Sequence, residues 1–107
     1  MIYLTKQKPI KGLSYLHYDG SLFIDTDNVN SMACALLDPK QFMIDGSSPY
    51  IVKPNPNELL VIYDNKLKTF DLGYWIDDTH SFLIRETGQE IYSKDLYYQT
   101  ISWDFME

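Results

Sequence analysis

The feature that most limits what this chain can fold into is its punctuation: short runs of alternating apolar and polar residues, each closed by turn-forming residues. Side chains of an extended strand alternate between faces, so such runs bury one face and hydrate the other, and the turns fold them into hairpins. Residues 13–18, Asp19-Gly20 and residues 21–25 make the clearest unit, because Asp-Gly supplies the positive φ angles that a tight hairpin turn needs. Residues 58–64 and 67–72 flank Asn65-Lys66, where Asn tolerates the left-handed conformation, and Gly73 reads as the next change of direction. Residues 82–86 and 90–93 flank Thr87-Gly88-Gln89, a connection with glycine available for a bulged turn.

The remaining segments fill in around these hairpins. Residues 97–105 place Tyr97, Ile101, Trp103 and Phe105 on one parity and Thr100, Ser102 and Asp104 on the other, the pattern of a half-buried strand. The segment NVNSMACALL, residues 28–37, has Val29, Met32, Ala33, Leu36 and Leu37 at helical spacing. With Asp27 or Asn28 as N-cap and Pro39 just beyond the end, it predicts one short helix, with a continuous strand as the competing reading. The segment DGSSPYIVKPNPN, residues 45–57, holds three of the five prolines and predicts a long exposed loop with an edge strand at residues 50–53. The expected fold is one mainly β domain spanning residues 1–107, an antiparallel sandwich or strongly curled sheet with a single short helix.

A chain of 107 residues buries enough surface for one core without disulfides. The apolar runs are far shorter than the roughly 20 residues a membrane-spanning helix needs. The segment MIYLTKQKPIKG lacks the apolar stretch of a signal peptide, and the lone Cys34 fits a reducing compartment, so a cytoplasmic location is expected. Fifteen acidic against nine basic side chains give a formal charge of −6, and Lys6, Lys8 and Lys11 have no acid among the first eleven residues. Residues 12–107 therefore carry six basic against fifteen acidic groups, a charge of −9. Such a body repels a phosphate backbone, which argues against direct nucleic-acid binding, and attracts basic proteins by electrostatic steering.

The inventory for chemistry is thin. His17 and His80 are the only histidines, Arg85 is the only arginine, and there is no G-x-S-x-G elbow or glycine-rich phosphate loop. Asp77, Asp78 and His80 could supply two carboxylates and an imidazole to a metal, and a small metal-dependent hydrolase using them is the alternative reading. Asp25, Asp27, Asn28 and Asn30 do not form a calcium loop, because counting from Asp25 puts Asn30 where the turn glycine belongs and Leu36 where a bidentate Glu belongs. No cofactor is expected.

Sixteen aromatic residues, nine of them tyrosine, exceed what a core of this size requires, so some should face solvent as interface anchors. In DLGYWIDDTH, residues 71–80, Tyr74 and Trp75 stand beside Asp71, Asp77 and Asp78, which makes this segment the first candidate partner-binding surface; the competing reading makes Trp75 and Ile76 core residues of a strand whose neighbours point outward. Asp25, Asp27 and Asp64, together with Asp19, lie at expected turns or strand ends and form the second.

A small acidic chain, rich in tyrosine and β patterning and without a catalytic constellation, resembles the immunity proteins of bacterial contact-dependent inhibition and related polymorphic toxin systems. The resemblance is one of type, covers the whole chain and carries over no individual residue. It implies binding to a cognate toxin domain, often a nuclease with a basic cleft, by occlusion of its active site or of an adjacent surface. The expected function is stoichiometric inhibition without chemistry by this chain.

Cys34 lies in the apolar run MACALL and should be buried. Native protein should resist a thiol reagent and react only on unfolding; rapid labelling of the folded state would contradict this.

Overall fold

Nine strands and one helix make up the described residues of the computed structural model, which are 1–7, 10–24 and 32–106. In chain order they are β1 (Ile2–Gln7), β2 (Ser14–His17), β3 (Leu22–Ile24), β4 (Met32–Leu37), α1 (Pro39–Asp45), β5 (Leu60–Asp64), β6 (Thr69–Ile76), β7 (Ser81–Ile84), β8 (Glu90–Ile91) and β9 (Leu96–Met106). They form one sheet in the order β3-β2-β4-β1-β9-β5-β6-β7-β8, curled into a half-barrel. The fold is mainly β with one short helix, as the patterning implies. Neighbouring strands are antiparallel except β1 and β9, the parallel pair that joins the first four strands to the last five. No helix among the described residues is long and apolar enough to cross a membrane.

The three hairpins form where the turn residues put them, with longer loops than the sequence implies. In β2–β3 the His17 N–H donates to the Ser21 carbonyl at 2.8 Å and the Gly20 N–H to the His17 carbonyl at 2.9 Å. The loop is thus Tyr18-Asp19-Gly20, and only Gly20, at φ 89°, takes a positive φ. In β5–β6 the Lys68 N–H closes a four-residue loop on the Asp64 carbonyl at 2.7 Å, and Lys68 rather than Asn65 is left-handed, at φ 59°. In β7–β8 the loop spans residues 85–88, ending on Gly88 at φ 69°.

The helix is displaced from its expected place. Residues 32–37 are strand β4, not helix, while residues 28–31 lie outside the described residues. An apolar run such as MACALL fits a strand buried on both faces as well as a helix, and pairing between β1 and β2 settles it. Pro39 starts α1 instead of following a helix: the Asp38 carboxylate caps the Lys40 N–H at 3.0 Å and Pro39 occupies the first turn, where its missing N–H costs nothing. Residues 50–53 form no strand.

Burial divides between two faces of the sheet. On the concave side Leu4, Leu16, Leu37, Val61, Tyr63, Leu72 and Ile101 pack with Phe42 of α1. On the convex side of the last five strands, Leu60, Ile62, Trp75, Phe82, Leu96 and Tyr98 form a second cluster. Strand β5 contributes to both, so its run LVIY is continuously apolar. Burying such a side chain contributes roughly 1.5–3 kcal/mol. Where β1 stops short of the start of β9, Ser47 exchanges backbone hydrogen bonds with Tyr98 at 2.9 and 3.0 Å. From there the proline-rich segment crosses the convex side, with Pro49 and Pro54 buried and the Tyr98 hydroxyl donating to the Val52 carbonyl at 2.5 Å.

Gly73 is not a turn residue but a buried position inside β6. A Cβ there would lie 2.3 Å from the Leu83 carbonyl oxygen of the paired strand and 3.0 Å from Ile62. Gly73→Ala should therefore destabilise the protein by about 1–3 kcal/mol through forced backbone displacement. Urea unfolding followed by the emission of Trp75 checks this, and an unchanged midpoint would show that β6 and β7 can separate freely.

Candidate functional site

Strand β6 disperses the segment DLGYWIDDTH. Alternation sends Asp71, Gly73 and Trp75 to the convex face and Leu72, Tyr74 and Ile76 to the concave one, so Tyr74 and Trp75 cannot present a joint surface. Trp75, read from the sequence as a partner-binding residue, is only 2% exposed and packs edge-to-face on Phe82 with ring centroids 5.1 Å apart. It is a core residue, because the strand register places it between Phe82 and the convex cluster.

The acidic residues separate into two groups. Asp71 and Asp77 are six residues apart, about 20 Å along an extended chain. Asp71 is half-buried near Glu86 and Asp64; burial first, then those two charges, raises its pKa above the ordinary 3.8. Asp64 accepts the N–H groups of Lys66 and Leu67 at 2.9 and 3.2 Å, so it organises the β5–β6 turn. Asp19 plays the same part in its own turn: the Ser21 hydroxyl, the Ser21 N–H and His17 hold its carboxyl down to about 2. Asp25 and Asp27 lie outside the described residues.

Asp77 and Asp78 are exposed in the β6–β7 turn, which ends on His80 in the left-handed region at φ 50°. The Trp75 indole N–H donates to Asp77 at 3.3 Å, and Thr79 and Ser81 share a 2.6 Å hydroxyl contact that braces the turn. Among the described residues, no three His, Cys, Asp or Glu side chains are grouped to hold a metal, so Asp77, Asp78 and His80 do not assemble into a metal centre. The His80 ring instead lies edge-on to Trp75 at 6.0 Å.

Beside this turn stands an apolar ridge that the sequence patterning missed. Tyr50, Ile51 and Val52 are consecutive and exposed, Ile51 to 84%. They are held in place from three sides. Tyr98 binds the Val52 carbonyl, Lys53 reaches Asp77 at 3.8 Å, and Tyr50 packs edge-to-face on exposed Tyr92 at 5.7 Å. Burial first, then the neighbouring Tyr92 hydroxyl, raises the Tyr50 pKa above its ordinary 10.0. The readable signal was YIV set among prolines, which resembles an edge strand until the buried Pro49 and Pro54 show that the segment is pinned by its rings and not by a ladder.

Chemically, this surface can cover apolar area on a partner with Tyr50, Ile51, Val52 and Tyr92 while Asp77 and Asp78 meet cations at its rim. Comparison with known proteins returns no match, whether to a protein-family model, a curated protein or a solved structure.

The raised pKa of Asp71 fixes the sign of a pH effect. Above its ordinary 3.8, the folded state holds this proton more tightly than the unfolded state, so stability falls as pH rises through the folded pKa. Asp71→Asn should therefore be more stable than the parent at neutral pH, with the advantage fading as pH drops toward the ordinary carboxylate value. Paired urea titrations at neutral and acidic pH test this; a variant less stable at neutral pH would mean that the carboxylate serves the fold.

Proposed function

We propose that this chain is a stoichiometric protein inhibitor, of the immunity-protein type, that binds a basic toxin domain in the cytoplasm and blocks access to its active site. The observation supporting this reading is the juxtaposition of Tyr50, Ile51 and Val52 with Asp77 and Asp78 on one braced surface. A backbone held at Val52 and a Tyr50 ring packed on Tyr92 leave less freedom to lose on docking, and an apolar centre with a charged rim is the usual anatomy of a binding surface. The charge of −6 favours a basic partner and speeds encounter with it. Acidic rim groups occupy the place of phosphates in a nuclease cleft, so occlusion needs no chemistry from this chain.

The test is co-expression with each basic protein domain that the neighbouring genes are found to encode, followed by mass determination of any complex and assay of that domain's toxicity. A one-to-one complex without toxin activity is expected. Asp77→Lys combined with Asp78→Lys should keep the fold and weaken the complex by about tenfold or more, ~1.4 kcal/mol at least. Unchanged affinity in the folded double variant would remove this surface from the account, and retained toxin activity in the complex would remove inhibition.

A further inference from the structure

A second surface lies at the other end of the β6–β7 hairpin, where the half-barrel is open. Leu4, Tyr18, Ala33 and Trp103 border a hollow of about 340 Å³, within the range of roughly 300–1,000 Å³ common for small-molecule pockets, which often sit in the mouths of β-barrels. Its aromatic wall is placed by an irregularity in the central ladder. Tyr3 pairs with Ser102 but Leu4 pairs with Phe105, so Trp103 and Asp104 are two extra residues on β9. Bulges of this kind re-aim side chains at functional rims, and here Trp103 remains 46% exposed. On the opposite wall the Tyr18 N–H donates to the Ala33 carbonyl at 3.1 Å, fixing the exposed Tyr18 at the edge of β4.

Two cations, Arg85 and Lys6, stand near the lining residues of the hollow, and Asp19 of the β2–β3 turn, whose carboxylate is turned onto Ser21, is the acid between Tyr18 and Gly20. The Arg85 guanidinium donates to the Gly20 carbonyl across the gap in the half-barrel. A Cβ at Gly20 would lie 3.5 Å from Arg85 Nη1 and 3.9 Å from Trp103 Cη2, so the guanidinium and the indole border the same point. The Lys53–Asp77 ion pair and the His17–Asp19 contact do not involve Arg85. Lys6 is the cross-strand partner of Ala33 and lies two residues beyond Leu4, on the same side of the sheet. Asp71 and Glu86 line a separate cavity that also borders Arg85.

We infer that this mouth binds a small apolar molecule bearing a carboxylate, its body against Trp103, Tyr18, Leu4 and Ala33 and its head on Arg85 and Lys6. The planar guanidinium fork matches a carboxylate, and an apolar body gains by leaving water against the half-exposed indole. The inference is independent of the Tyr50–Asp78 surface.

Decanoate, below its micelle concentration, is the probe, with decanol and decyltrimethylammonium as neutral and cationic controls. Half-exposed Trp103 should change its emission on binding, while buried Trp75 should not. Saturable one-to-one binding of decanoate is expected, at least tenfold tighter than either control. Arg85→Gln and Lys6→Gln should each weaken decanoate about tenfold and leave decanol unchanged. Lys6→Gln keeps the Arg85–Gly20 bond, so it tests the head-group site even where loss of that bond unfolds the other variant. The Asp77→Lys and Asp78→Lys double variant should bind decanoate as the parent does, which separates failure here from failure of the inhibitor reading. No saturable binding, equal binding of all three probes, or unchanged decanoate affinity in folded Lys6→Gln would overturn the inference.

Discussion

The parallel pairing of β1 with β9 is the contact on which the rest of the half-barrel depends. It matches Ile2 with Ile101 and Tyr3 with Ser102, joining strands from the two ends of the chain. On one side lie β3, β2 and β4, on the other β5 to β8, and each set is otherwise made of antiparallel neighbours. Closing so long a loop is entropically unfavourable and slow, so local hairpins can form first while the concave core waits for β1 to meet β9. Neighbouring features are arranged around this ladder. Gln99 ties β9 to the Phe42 carbonyl in the middle of α1, and Ser47 takes up the edge of β9 that β1 leaves bare. The bulge at Trp103 is an interruption of the same ladder.

What the sequence made legible was local. Asp19-Gly20 and Gly88 mark hairpins because a positive φ is a property of single residues and needs no tertiary partner. The class of fold followed, since alternation and turn spacing together leave few other arrangements. The helix was misplaced because MACALL has no period that separates a doubly buried strand from a helix, and because Pro39 was read as a stop when Asp38 before it makes it a start. Gly73 was misread for a related reason: only the opposing Leu83 carbonyl explains it, and no sequence pattern displays a neighbour across a sheet.

The candidate surface was legible only in part. Asp77 and Asp78 were identified as exposed acids and are exposed. Trp75 was grouped with them through sequence adjacency, whereas strand alternation and the Phe82 contact draw it inward. The apolar side chains beside those acids come from a loop some twenty-five residues earlier in the chain. That juxtaposition is fixed chiefly by the Tyr98–Val52 hydrogen bond and the buried prolines, with the exposed Lys53–Asp77 pair a minor addition, and such links between distant segments leave no local trace. The two exposed regions sit at opposite ends of the β6–β7 hairpin, one dominated by carboxylates and one flanked by Lys6 and Arg85. A moderately acidic chain can thus present two chemically different surfaces, each assembled from several elements.

The direction of β1 relative to β9 has a mechanical meaning. Because the strands are parallel, tension applied between Ile2 and Met106 pulls them past one another along their length. The ladder is then loaded in shear, with its hydrogen bonds strained together instead of opening one by one from an end. Resistance to forced unfolding is set by the rate of crossing that barrier and not by equilibrium stability. A protein pulled between Ile2 and Met106 would therefore load this ladder first, and the hairpins on either side would be shielded until it gave way.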